Sequence, residues 1–135
     1  MHNLALPITG LYTGILGLIM LVLATRVSRQ RILLKSSISL DASPELFEAV
    51  RRHGNFVEWV PFVLLLMAIA ESNGLAPLHL HIAGGLLVFA RILHPLGIRH
   101  NPSPHPLRAI GATLTFLIAL VLCVVVIAQW GRIPG

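Results

Sequence analysis

This 135-residue chain has little charge (11%), few aromatics (6%), five acidic residues and a single cysteine. Cys123 has no internal disulfide partner, and its place in the last apolar run reads as a buried, inert thiol. So little charge beside 56% hydrophobic residues and a mean hydropathy of +0.84 excludes an ordinary soluble domain. The apolar runs lack the inward-outward alternation of a membrane barrel, so they are helices, whose backbone groups bond internally. No internal repeat and no low-complexity tail is present. Lys and Arg are absent ahead of the first apolar run, which is also too long for a signal's apolar region, so it is expected to be a retained span.

What the chain does contain is four apolar segments, at about residues 4–25, 55–71, 77–98 and 107–130. Each is near the ~20 residues that cross ~30 Å of hydrocarbon as a helix. The expected fold is all-α: one integral-membrane domain, 1–135, folded as an up-down four-helix bundle. A net charge of +5 would suggest nucleic acid for a soluble protein, but here its placement signals topology and no nucleic-acid partner. Arg26, Arg29, Arg31, Lys35, Arg51 and Arg52 lie between the first two spans or at the edge of the second. Arg99 and Arg108 flank the connection between spans three and four, while Arg132 stands at the opposite end. The positive-inside rule then puts both basic connections in the cytoplasm, with the termini and the 72–76 turn outside. In a bacterium this means a multi-pass inner-membrane protein with periplasmic termini.

Local signals refine these limits. Residues 26–40 read as a basic, serine-containing loop. Asp41-Ala42-Ser43-Pro44-Glu45 reads as a helix start near residue 44, with Ser43 as N-cap and Pro44 in the first turn. Pro61 is positioned to kink the second helix. Ser72-Asn73-Gly74 ends that helix, Pro77 opens the next, and Gly84-Gly85 allows close helix approach. Asn101 to Pro106 is a stiff, proline-dense loop, after which Arg108 falls in the first turn of helix four.

Arg51, Asn55 and Glu58 stand at i, i+4 and i+7 and share one helical face over two turns. An ionisable group facing hydrocarbon costs about 2.5–3.5 kcal/mol even on the lenient insertion scale, so this stripe demands partners. Glu58 lies about 10 Å inside Arg51, and Arg91 about 12 Å inside Arg99, at 1.5 Å per residue. Glu58 and Arg91 are therefore expected to pair, directly or through Asn55. Such a pair is also compatible with simply fixing the bundle. His53 and His94 beside it favour a binding cavity instead, one rich in cations and suited to a ligand with more carboxylates than amines. His81 and His94 are thirteen residues apart on one helix and cannot ligate one metal by themselves, and no metal is expected. His79, His100 and His105 read as interfacial or loop residues, and Trp59, Trp130 and Tyr12 as anchors or packing.

Arg51-x-x-x-Asn55-x-x-Glu58, followed by an aromatic and Pro61, resembles the MAPEG family, the membrane-associated proteins in eicosanoid and glutathione metabolism. Phe89-Ala90-Arg91-Ile92-Leu93-His94 and Pro106-Leu107-Arg108 are similar to the family's third and fourth helices, and the phrase from His53 to Glu58 looks most like the bacterial branch. The resemblance covers nearly the whole chain. It implies a homotrimer in the bilayer, with glutathione as co-substrate between neighbouring subunits near the cytoplasmic side. Arg51, His53, Asn55, Glu58, Arg91 and His94 would bind the tripeptide, Glu58 holding its α-ammonium, and Arg108 would be the catalytic, thiolate-stabilising arginine. Ile98 stands where several eukaryotic members have a tyrosine, and Trp59 follows the motif glutamate where a tyrosine is frequent.

The chemistry agrees with that implication. A thiol near pKa 8.5 is mostly protonated at neutral pH, and a guanidinium beside it favours the nucleophilic thiolate. A hydrophobic electrophile or lipid hydroperoxide would enter from the bilayer between helices one and four. Two other classes fit the residues less fully: a small multidrug-type transporter using Glu58, and a non-catalytic lipid- or glutathione-binding membrane protein. A haem bundle would need histidine pairs facing each other at one depth, which the spacing does not supply.

Overall fold

The computed structural model describes residues 5–36, 38, 43–100 and 105–131, and all regular structure among them is helical. The helices are α1 (Pro7–Leu34), α2 (Pro44–Ser72), α3 (Pro77–Leu96) and α4 (Pro106–Trp130). All four begin with proline, whose fixed φ suits the first turn and whose missing N–H would have no partner there. Each is long and apolar enough to cross a bilayer. The expected all-α, four-helix membrane domain is the observed fold.

Ser43 caps α2 as expected, its hydroxyl accepting from the Leu46 N–H at 3.1 Å. Gly74, at φ +81°, carries the chain out of α2, and Leu75 N–H closes on Ala70 O at 2.9 Å. Helix α2 runs on through Pro61 without a break. One expectation fails. Residues 26–34 are the last turns of α1 and not a loop. No Gly or Pro interrupts Arg26–Leu34, and the fall in hydropathy there marks the edge of the hydrocarbon, not the end of the helix. Lys35, in the left-handed region at φ 49°, closes α1. Asp41, Ala42, Asn101 to Pro104 and Arg132 lie outside the described residues.

Packing is closest between α3 and α4 and between α1 and α2. Helices α1 and α4 occupy opposite corners and do not touch among the described residues. The core joins Leu16 and Leu23 of α1, Phe56, Val60, Val63 and Met67 of α2, Leu87 of α3, and Ile118 and Leu122 of α4. Gly84 meets the Tyr12 ring, the close approach that Gly84-Gly85 was expected to permit. Outward-facing Leu18, Leu21, Phe62, Leu65, Phe89 and Val121 give the bundle a lipid-compatible surface. Cys123 is half-buried and packs against the core.

At the end opposite the basic connections, Glu71 closes the start of α1. Its two oxygens accept from the Ile8 N–H at 3.0 Å and the Thr9 N–H at 2.8 Å. A carboxylate on two orphan amides at a helix N-terminus satisfies both donors and the helix dipole. Glu71→Ala is expected to cost about 1–2 kcal/mol, read as a lower unfolding midpoint in detergent with ligand binding unchanged.

Candidate functional site

The most polar construction inside the bundle is centred on Arg91, which is only 2% exposed. Its Nη1 donates to Asn55 Oδ1 at 3.0 Å. Its Nη2 donates to Thr115 Oγ1 at 2.6 Å and to Gly111 O at 3.3 Å. The Thr115 hydroxyl in turn donates a hydrogen bond to Gly111 O at 2.8 Å. One guanidinium thus fastens α2 and α4 to α3. Gly111 makes this possible, because a Cβ there would lie 2.7–2.8 Å from Ala90 O and the His94 backbone and Cβ. Since a guanidinium only donates, Asn55 must turn its carbonyl oxygen to Arg91, which leaves its amide N–H groups for a ligand.

Next to this knot is a cleft of about 150 Å³ lined by Phe47, Arg51, Asn55, His94, Ile98, Arg99 and Arg108. It lies at the basic end, where α2 begins, α3 ends and α4 begins. Gly97 places Arg108 there, for a side chain at that position would collide with the Arg108 backbone. The first turn of α4 therefore rests directly on the end of α3. The lining has three guanidiniums, an imidazole and an amide, and no acid. Such a set is chemically suited to an anion with several negative groups. Its volume falls below the roughly 300–1,000 Å³ usual for small-molecule sites.

Of the residues singled out by sequence, Arg51, Asn55, His94 and Arg108 meet in this cleft, and Arg91 joins them through Asn55. His53 is half-buried on α2 and does not line it. The expected Glu58–Arg91 pair is not formed: Arg91 reaches Asn55, but Glu58 is exposed and has no hydrogen-bond or ionic partner among the described residues. The cause is angular. Seven residues are almost two full turns, so Glu58 shares the outward face of Arg51, whereas Asn55 is offset by about 40° and reaches inward. Of the stripe, Glu58 thus looks away from its own bundle, while Arg51 and Asn55 line the cleft.

Sequence reasoning missed Arg99, Phe47 and Ile98 as lining residues. Arg99 had been absorbed into the charge-topology count, although its place just after the end of α3 was the available signal. A separate apolar groove of about 360 Å³ runs between α3 and α4, lined among others by Leu75, Ile82, Leu86, Leu117 and Val121. Among the described residues, no three of His, Cys, Asp and Glu cluster as metal ligands.

Comparison with known proteins bears on this arrangement. The inner membrane protein YecN of Escherichia coli K12 is 30% identical over 115 residues, spanning 85% of this chain and 88% of that protein. The YecN of E. coli O6:H1 matches to the same extent. The sequence model of the MAPEG family matches residues 9–128, from the first turn of α1 almost to the end of α4. Four membrane helices in order, the polar stripe of α2 and the Arg91 knot all fall within that stretch, and the chain belongs to the MAPEG family.

Proposed function

We propose that this protein is a membrane-embedded, glutathione-dependent transferase or peroxidase that works as a homotrimer. The observation that carries the reading is the acid-free cleft of Arg51, Asn55, His94, Arg99 and Arg108, open at the subunit surface beside outward-facing Glu58. Glutathione carries two carboxylates, a thiol and one ammonium. The cations fit its acidic groups, and Glu58 fits its ammonium once a neighbouring copy closes the site. An exposed glutamate in a membrane-spanning helix is costly until such a partner covers it. The basic end faces the cytoplasm of a bacterial inner membrane, and the termini face the periplasm.

In the chemical step, Arg108 stabilises the thiolate, which raises its population at neutral pH. With an electrophile, the sulfur forms a carbon–sulfur bond and the leaving group departs with its electron pair. With a hydroperoxide, sulfur takes the terminal oxygen, the O–O bond breaks, and the alkoxide is protonated to an alcohol. A second glutathione then converts the sulfenic acid to disulfide and water. The hydrophobic substrate enters from the bilayer between helices one and four of neighbouring copies, the two helices that make no close contact with each other among the described residues of one chain.

Glu58, lacking a partner among the described residues, also supports a second reading as the proton-coupled acid of a small transporter. Purified protein assayed with glutathione and an activated aryl halide or a lipid hydroperoxide separates the two. Glutathione-dependent turnover, reduced at least tenfold in Glu58→Gln, supports the enzyme. Glutathione binding without turnover supports a binding protein. Absence of both, with proton-coupled efflux lost in Glu58→Gln, identifies a transporter.

A further inference from the structure

The residue pair just outside the cleft grips the backbone of the segment leaving α3. Arg52 and Glu48, one turn apart on α2, form an ion pair at 2.7 Å. The same Arg52 nitrogen donates to the carbonyl of Ile98 at 2.6 Å. The other oxygen of Glu48 accepts from the backbone N–H of His100 at 2.8 Å. The His100 ring also stands edge-on to Phe47, centroids 5.6 Å apart. Both backbone groups gripped by this pair belong to the immediate neighbours of Arg99. The segment leaving α3 is thereby fixed on either side of one residue, whose own side chain lines the cleft.

We propose that Arg99 is a ligand-binding residue that holds one carboxylate of the bound tripeptide, with Glu48 and Arg52 as its positioning residues. This rests on the glutathione reading above. The charge count supports it: bound glutathione presents two carboxylates and a thiolate, and the cleft presents Arg51, Arg99 and Arg108. With Arg108 assigned to sulfur, Arg51 and Arg99 are left for the two carboxylates. A long, flexible arginine on an unrestrained loop would lose much of its binding energy to ordering. Fixing the backbone on both sides removes part of that cost. A surface ion pair is worth little for stability, so the placement of Glu48 and Arg52 is better explained by what they hold.

The test is calorimetric titration of the detergent-solubilised full chain with glutathione and with two blocked forms, each having one carboxylate converted to an amide or ester. Arg99→Ala is expected to weaken glutathione binding about tenfold, the equivalent of ~1.4 kcal/mol. For one of the blocked forms it should make no difference. Arg99→Lys should recover part of the affinity, and Glu48→Ala should reproduce part of the loss with the oligomer intact. Undiminished glutathione binding by Arg99→Ala overturns the assignment and leaves the glutathione reading standing. An equal loss for glutathione and both blocked forms also overturns it, because a carboxylate contact must disappear with its carboxylate. No binding by the unaltered protein overturns the glutathione reading itself, and the assignment with it.

Discussion

Arg108→Ala is expected to remove the thiolate absorbance of bound glutathione at neutral pH while leaving the fold intact. The unassisted thiol, with a pKa near 8.5, is only about 3% ionised at pH 7. A guanidinium within about 4–6 Å lowers an acid by roughly 1–3 units, enough to make from about a quarter to nearly all of it thiolate. The ultraviolet difference band should therefore fall by about tenfold or more, and glutathione-dependent turnover with it. Arg108→Lys keeps the charge but loses the planar fork, and should retain part of the band. Arg108 is exposed, and its side chain has no hydrogen-bond partner among the described residues, so its loss should leave the unfolding midpoint nearly unchanged. A band that survives in Arg108→Ala and vanishes in Arg51→Ala would move the role to that arginine.

Arg91 should behave in the opposite way, with a large effect on stability. Arg91→Ala removes donors to Asn55, Thr115 and Gly111 and leaves a cavity where three helices meet. Hydrogen bonds from a charged donor contribute about 1.5–3 kcal/mol each, partly offset by the relief of desolvating the buried cation. The net loss should be about 2–4 kcal/mol, measured by reversible unfolding in detergent. Arg91→Met is the informative companion. It refills most of the volume and should regain most of the stability, yet Asn55 is then free to turn its amide. Glutathione affinity should stay down about tenfold. If Arg91→Met restored binding as fully as stability, Asn55 would owe nothing to Arg91.

Much of the fold was legible because each device is local. Pro44 and Pro77 at the start of α2 and α3, Ser43 before Pro44, and Asn73-Gly74 after Ser72 act within a few residues, and the structure uses each as expected. The end of α1 was misplaced because hydropathy reports the solvent and not the backbone. Arg26 to Leu34 leave the hydrocarbon but have no reason to stop being helical. The site was legible by face and depth and less so by angle. Depth arithmetic correctly brought Arg91 to the α2 stripe, but the roughly 60° between Asn55 and Glu58 decided that Asn55 would receive it. Arg99 was hidden because its role depends on the Glu48–Arg52 brace, whose partners lie 46 and 52 residues away in sequence.

Assembly of copies of this chain around a glutathione site can be read in a single titration. Glutathione is added to detergent-solubilised protein in a calorimeter, on a sample whose oligomeric state has been fixed by light scattering. The expected result is a trimer that binds glutathione saturably, with heat lost when the subunits are dissociated. A protein that stays monomeric, or a trimer that gives no heat of binding at millimolar glutathione, would contradict the account.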